Sequence, residues 1–200
     1  MKIIWKGKYS NVQQLSVGTL PGNAVRLREP SSFLMLNLIA LIFVIPVLIF
    51  IGVVFYIKMR SGLIANFRDM ASVVGLLAAF LMVIPHEFLH AAAFPKHAEV
   101  EIWYSPKNMA AFAVSTYPLS KLRFVFVSFL PNIIFGFVPL IAWIFIPVEF
   151  LQVSRAIFTF ASLSLLVGVG DFLNVFNALI QMPRNSIIQT SGFHSYWYLK

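Results

Sequence analysis

The sequence predicts an all-α integral membrane protein with four transmembrane helices and a β-hairpin between the second and third helices. Apolar residues make up 60% of the 200 residues, charged residues only 11%, and the mean hydropathy is +0.85. A soluble domain has about 45–50% apolar and about 25% charged residues. This composition excludes a disordered chain, a nucleic-acid-binding module and an ordinary cytosolic enzyme. The absence of cysteine excludes disulfides, thiolate metal sites and a cysteine nucleophile.

Residues 1–32 form a polar segment, which we expect on the cytoplasmic side of the membrane. No apolar run follows its first basic cluster, which argues against a signal peptide. Stretches at Lys2–Trp5 and Val25–Leu27, around a Pro21-Gly22 turn, predict one or two short strands.

Four long apolar blocks follow. Each approaches or exceeds the ~20 residues that a helix needs to cross a hydrocarbon core of about 30 Å. Four such blocks in a chain of this length leave too little polar surface to cover them in a soluble protein. We therefore predict a four-helix membrane domain over residues 33–182 and a cytoplasmic tail over 183–200. The predicted helices are Phe33–Ile57, Ala71–Phe94, Phe124–Val148 and Leu151–Met182.

The distribution of positive charge predicts the orientation of these helices. If the N-terminal segment is cytoplasmic, eleven of the fifteen Lys and Arg residues lie on the cytoplasmic side. The positive-inside rule then places both termini in the cytoplasm. The net charge of +8 is therefore interpreted as topology information and not as a nucleic-acid signal.

The loop of about residues 95–122, between helices 2 and 3, contains the predicted hairpin. Glu99–Tyr104 alternates polar and apolar residues and is rich in strand formers, and Ala111–Tyr117 provides a second strand after a turn at Ser105–Asn108. Such a hairpin has an edge to which an extended peptide can add as a strand. The alternative is a simple connector.

Near the end of the second apolar block stands His86-Glu87-Phe88-Leu89-His90. Residues i and i+4 share one face of a helix, so both imidazoles can reach a single metal ion. Glu87 lies beside them, placed to take a proton from a water that the metal activates. Ionisable residues inside a membrane are expensive and usually functional. The pattern predicts a metal site with Zn²⁺ as cofactor, although cobalt or manganese also suits two histidines and a carboxylate.

A catalytic zinc has three protein ligands and an open position, and Asp171 is the predicted third ligand. It is the only acidic residue inside the fourth block, where a bare carboxylate would cost several kcal/mol in lipid. From the helix boundaries, it differs in depth from the two histidines by only about 5–10 Å. Gly168 and Gly170 are expected to let the helices approach closely. The alternative role for Asp171 is capping or helix packing.

Five other ionisable residues fit the third position less well. The spacing of His97 does not match a metzincin pattern, and Asp69 lies in the loop on the opposite side of the membrane. We expect Glu99 and Glu101 to be solvated charges of the hairpin, and His194 to be an exposed residue of the tail.

Three asparagines are candidates for binding substrate or a developing oxyanion, namely Asn132, Asn174 and Asn177, with the first two preferred. Hydrogen bonding between helices is the alternative role for each. Prolines inside the predicted helices indicate kinks whose freed carbonyls line a wet cavity. These prolines are Pro46, Pro85, Pro131 and Pro139.

With these motifs, the chain resembles a bacterial domain-of-unknown-function family described as "putative zincin peptidases" and, distantly, the site-2 protease type of intramembrane metalloprotease. The similar features lie within residues 70–198: His86–His90, Phe129–Asn132, Gly170-Asp171 and Met182-Pro183. The resemblance implies zinc ligation by His86, His90 and Asp171, with Glu87 as the catalytic acid/base at membrane depth. The chain differs from site-2 proteases in that a glycine precedes the aspartate instead of following it.

The predicted function is an intramembrane zinc metallopeptidase in the bacterial plasma membrane, with a membrane-anchored protein or peptide as substrate. A membrane metal transporter or sensor and a non-catalytic scaffold stay open as alternatives. A transporter should have polar residues spaced across the whole bilayer, whereas here they cluster at one depth. A scaffold has no need of the acid Glu87.

Overall fold

The structure is a computed structural model that describes residues 1–62, 70–108 and 110–199. Helices occupy most of these residues. They are α1 (Phe33–Ala40), α2 (Val44–Arg60), α3 (Val73–Leu81), α4 (Val83–Ala92), α5 (Lys121–Asn132), α6 (Val138–Trp143), α7 (Leu151–Val167) and α8 (Val169–Gln181). The strands are β1 (Lys2–Lys8), β2 (Val25–Arg26), β3 (Glu99–Ser105), β4 (Ala110–Val114), β5 (Leu119–Ser120), β6 (Ile187–Ser191) and β7 (His194–Tyr198).

The four apolar blocks are helical, as predicted. Phe33–Arg60 and Lys121–Trp143 are each long and apolar enough to cross a membrane. The α3–α4 and α7–α8 pairs are bent by 44° and 46°, so the described residues contain two candidate spans, or up to four if each bent pair is one span. The first bend has a local cause, because Pro85 has no N–H to donate to the carbonyl of Leu81.

The prediction of an all-α protein is wrong, because two sheets accompany the helices. The first has the order β1-β3-β4, with β1 parallel to β3 and β3 antiparallel to β4. The second has the order β2-β7-β6-β5 with antiparallel neighbours. The predicted hairpin is confirmed as β3–β4, and both N-terminal strands are confirmed as β1 and β2. The β6–β7 hairpin, which turns at Gly192 with φ of +62°, was not predicted.

One compact unit comprises Met1–Ile39, Glu87–Leu130 and Gly170–Lys200. Within it, the end of α4 packs against both sheets, since Ala91 and Ala93 are buried in separate apolar clusters. The cluster at the first sheet is Ala91, Ala98, Val100 and Ile102. The cluster at the second sheet is Leu27, Ala93, Leu119, Val127, Ala178, Met182 and Ile188. This packing holds the C-terminal end of α4 between the two sheets.

In the same unit, Lys121 ties the start of α5 to the end of α8. Its ammonium donates to the carbonyls of Leu179 (3.1 Å) and Met182 (2.6 Å), which lie at the C-terminal end of α8. Carbonyls at a helix C-terminus lack helical donors and carry partial negative charge, so a lysine there is stabilising. This contact keeps α5 and α8 together in the unit.

The second compact unit comprises Ala40–His86 and Pro131–Val169. Here α3 packs closely on α7, because a side chain at Gly75 would collide with the backbone of Ala156 and the side chain of Thr159. The Thr159 hydroxyl accepts from the backbone N–H of Ser72 (3.0 Å) and donates to the carbonyl of Met70 (2.8 Å). These bonds fix the start of α3.

Lys58, near the end of α2, is a buried charge of this second unit, with only 1% of its surface exposed. Its ammonium donates to the carbonyls of Trp143 (2.6 Å) and Ile146 (3.0 Å) and to the Ser154 hydroxyl (3.2 Å). It also lies 4.2 Å from the centre of the Trp143 ring. These acceptors compensate the cost of burying the ammonium.

The expectation that two glycines allow close approach holds for Gly168 only. A Cβ at Gly168 would collide with the side-chain amide of Asn132, within the second unit. A Cβ at Gly170 would meet no atom within 4 Å. Gly168 therefore makes room for the buried asparagine, and Gly170 has no such role.

Candidate metal centre

The three polar residues of the His-Glu-x-x-His motif lie together on α4. Each of His86, Glu87 and His90 offers one possible ligand atom, and these atoms lie within 4.8 Å of one another. Helical spacing alone brings them together, because residues i and i+4 share a face. Glu87 and His90 are buried, each with 8% of its surface exposed, and His86 is half-buried.

Hydrogen bonding determines which nitrogen of His90 carries a proton. Its Nδ1 lies 2.8 Å from the backbone carbonyl oxygen of Val127 on α5. A carbonyl can only accept a hydrogen bond, so Nδ1 carries a hydrogen and donates it. The Nε2 atom, on the other side of the ring, is therefore the nitrogen that would bind a metal ion.

Asp171 faces this second nitrogen. Its Oδ1 lies 3.2 Å from Nε2 of His90, and both side chains are largely buried. Asp171 belongs to the first turn of α8, where the partial positive charge of the helix N-terminus stabilises a carboxylate. The structure thus brings together Asp171 and His90, two of the residues that the sequence predicts as metal ligands. The role of Asp171 as a ligand is part of the function proposed below.

Glu101 is not the solvated charge that the sequence predicts. It is buried on β3, where it accepts hydrogen bonds from the Ser16 hydroxyl (2.8 Å) and the Trp103 indole N–H (3.1 Å). The ammonium of Lys6 lies 3.2 Å away. The parallel pairing of β1 with β3 brings Lys6 close, so Glu101 has a structural role in the first sheet.

Glu99, by contrast, is exposed as predicted and pairs with Lys2 at 2.9 Å. His97 is exposed after the end of α4. Asp69 lies outside the described residues.

His194 is half-buried in β7, whereas the sequence predicts an exposed residue. Its Nδ1 lies 3.6 Å from a carboxylate oxygen of Glu29, and that same oxygen accepts from the backbone N–H of Ser195 at 2.6 Å. Burial raises the pKa of Glu29 to about 7, although the Ser195 N–H and the positive charge of Arg26 act in the opposite direction. Burial and Arg26 both lower the pKa of His194.

The asparagine candidates occupy different environments. Asn132 is the last residue of α5 and is 1% exposed, with its amide packed at Gly168. Asn174 is exposed on α8, one turn beyond Asp171. The amide oxygen of Asn177 accepts from Gln181 at 3.0 Å, which is a helix-surface contact.

A π-helical segment, Ile133–Phe137, follows Asn132 and was not predicted. Such segments are rare and occur frequently at functional sites. Pro131 and Pro139 flank it, and each lacks a backbone N–H. The sequence feature that indicates an irregular helix at this position is the presence of two prolines eight residues apart in one apolar block.

The residues present fit a zinc ion. Imidazole nitrogens and a carboxylate are its usual ligands in catalytic sites, and ligands at about 2.1 Å from one ion lie up to about 4 Å apart. The spacing within 4.8 Å in α4 is close to that value. Histidines that bind metals almost always donate their second N–H to a carboxylate or a backbone carbonyl, as His90 does to Val127.

A His-Glu-x-x-His helix of this construction is typical of zincin-type metallopeptidases. The chain belongs to the family described as "Putative zincin peptidase", whose model matches residues 79–187. This range is more than half of the chain and contains the α4 motif and Asp171. No curated protein and no solved structure matches the chain.

Proposed function

We propose that the protein is an intramembrane zinc metallopeptidase that hydrolyses a peptide bond of a membrane-associated protein. One observation carries the proposal: His90 donates Nδ1–H to a buried carbonyl while its Nε2 faces the carboxylate of Asp171. A histidine that served only as packing would not require an intramembrane carboxylate, which is costly in lipid.

His86, His90 and Asp171 are the residues that would hold the ion. A bound zinc ion supplies a Lewis acid that polarises the scissile carbonyl and lowers the pKa of water. The Val127 carbonyl keeps His90 in the tautomer that a ligand needs. The partial positive charge at the N-terminus of α8 favours the carboxylate of Asp171.

Glu87 is the general base in this proposal. As the attacking water forms its bond to the carbonyl carbon, Glu87 accepts one of its protons, and it then returns that proton to the leaving amine nitrogen. Its low exposure suits the task, because a buried carboxylate acts without competition from bulk water. Asn132 and Asn174 are the proposed donors to the developing oxyanion or to the substrate backbone.

An extended substrate segment would fit the first sheet. A helical peptide bond is shielded by its own turns, so the cleaved segment must unwind. The order β1-β3-β4 leaves one side of β4 at the edge of the sheet, and its sequence is the apolar Ala110–Val114. Adding a strand there would replace the hydrogen bonds lost on unwinding. The edge strand β4 belongs to the same compact unit as the end of α4. In that unit, β3, the neighbour of β4, packs on Ala91, which follows His90.

We also propose that both termini are cytoplasmic and that the protein resides in the plasma membrane. The excess of basic residues in the predicted cytoplasmic segments supports this orientation.

The test is a comparison of cleavage products in vesicles. Zinc-loaded wild type, Glu87→Gln and the exposed control Glu99→Gln would each be reconstituted with a bacterial membrane-protein extract, and new N-termini identified by chemical labelling and mass spectrometry. We expect new N-termini within or beside apolar segments for wild type and Glu99→Gln, and none for Glu87→Gln. Identical N-termini in all three samples would contradict the proposal.

A further inference from the structure

Pro131 lies inside α5, one residue before its end. In an α-helix the N–H of residue 131 would donate to the carbonyl of residue 127, four positions earlier. Proline has no N–H, so this helical bond cannot form. The carbonyl of Val127 therefore lacks the donor that any other residue at position 131 would supply.

That same carbonyl accepts the hydrogen bond from Nδ1 of His90 at 2.8 Å. This hydrogen bond is buried, because Val127 is 4% exposed and His90 is 8% exposed. In a buried site a hydrogen bond is stronger than in water, and an unpaired carbonyl is costly. The Val127 carbonyl and the Nδ1–H of His90 thus satisfy each other's hydrogen-bonding need. Pro131 lies four residues after Val127, which is the position whose N–H would otherwise occupy this carbonyl.

We propose that Pro131 is a positioning residue for His90. By withholding an N–H it reserves the Val127 carbonyl for the histidine, which keeps the imidazole in the Nδ1–H tautomer and directs Nε2 towards Asp171. The part of this inference that concerns metal affinity rests on the proposed function, whereas the hydrogen bond itself does not.

The competing explanation is that Pro131 only breaks the regular helix before the π segment. Pro139 allows the two explanations to be separated, since it flanks the other end of the same π segment. The carbonyl four residues before it belongs to Phe135, which accepts no hydrogen bond from a histidine within the described residues. Pro139→Ala is therefore the matched control.

The experiment uses the full chain in detergent micelles with ¹⁵N-labelled histidine. Pro131→Ala restores an N–H that competes for the Val127 carbonyl. The His90 Nδ1–H resonance should move upfield and its proton should exchange faster, in both metal-free and zinc-loaded protein. Zinc affinity, measured by competition with a chelator, should fall by about 10–100-fold, as is usual when the hydrogen-bond partner of a ligand is lost. Pro139→Ala should change neither quantity.

A backbone ester at position 131, made by incorporating lactic acid, provides a rescue. It has the methyl side chain of alanine but no N–H, so the His90 resonance and the zinc affinity should return to wild-type values. If Pro131→Ala does not fold, an infrared measurement on wild type with a ¹³C-labelled Val127 carbonyl replaces it. His90→Phe should then raise the carbonyl stretching frequency.

The outcomes separate the two proposals. An unchanged His90 resonance in Pro131→Ala, or an unchanged Val127 band in His90→Phe, would overturn the inference and leave the proposed function intact. A wild type that binds no zinc would overturn the proposed function, while the metal-free His90 resonance would still decide the role of Pro131.

Discussion

Gly168 provides the sharpest test of how the structure accommodates Asn132. Substituting Gly168 with alanine adds one methyl group that would overlap with the whole terminal amide of Asn132, not with one atom alone. Because Asn132 is only 1% exposed, its amide cannot swing into solvent to make room. Gly170→Ala is the matched control, since a methyl group there meets no atom within 4 Å.

The two substitutions should change the free energy of unfolding in opposite directions. Overpacking a buried site costs typically about 1–3 kcal/mol, and Gly168→Ala should destabilise the protein by that amount. Gly170 lies at the start of α8, where alanine is favoured over glycine by roughly 0.5–1 kcal/mol in a helix. The two variants should therefore differ by about 1.5–4 kcal/mol in the free energy of unfolding, combining these two ranges.

The assay is reversible unfolding in mixed micelles of increasing denaturing-detergent fraction, followed by circular dichroism. Nearly equal unfolding free energies for Gly168→Ala and Gly170→Ala would refute the close contact between Gly168 and Asn132. Gly168→Ala combined with Asn132→Ala should recover stability, because the smaller side chain leaves room for the methyl group.

Three further predictions concern charge and catalysis. Lys58→Met removes the ammonium donor from the Ile146 carbonyl, while the Trp143 carbonyl keeps the N–H of Ile146. This should cost about 1–3 kcal/mol in the same assay, whereas exposed Arg60→Met should cost less than about 0.5 kcal/mol. Burial raises the pKa of Glu29 from 4.5 to about 7, so the folded state loses stability as the pH rises through that interval, by about 3 kcal/mol. Thermal unfolding as a function of pH should show this loss in wild type and not in Glu29→Gln, and parallel curves would contradict it. If Asn132 or Asn174 donates to the oxyanion, replacing that residue with alanine should lower kcat by about 10²–10³-fold without changing the zinc content. An undiminished kcat in both alanine variants would exclude both asparagines as oxyanion donors.

The α4 cluster was predictable because it depends on local spacing alone. His86 and His90 are four residues apart, and any helix through them places both on one face. Asp171 was recognisable for a different reason, since a lone acid in an apolar block is too costly to be left in lipid. Its contact with His90 is consistent with that argument.

The sheets were less predictable because most of their pairings join distant parts of the chain. Trp5 pairs with Ile102, and Val25 pairs with Trp197, and no local pattern identifies such partners. Among the described strands, the β3–β4 and β6–β7 hairpins join neighbouring segments, and only the first of them is predicted from the sequence. The burial of Glu101 was missed for the same reason, because Lys6 and Ser16 reach it only through the long-range pairing of β1.

The Val127 carbonyl could not be recognised as part of the site from residue types, since every residue carries a backbone carbonyl. Only the proline four residues later distinguishes it. A proline inside an apolar block predicts that some carbonyl is freed, but not which side chain will reach it. That required the packing of α4 beside α5.

The most direct test of the proposed metal centre is the zinc content per chain of detergent-purified protein after zinc is added back. We expect close to one zinc per chain in wild type and in Glu87→Gln, because the glutamate is a base and not a ligand. We expect its loss in His90→Ala and in Asp171→Ala, and its retention in the exposed control Glu99→Gln. Zinc retained in Asp171→Ala would mean that another residue is the third ligand, and wild type without metal would contradict the metallopeptidase proposal.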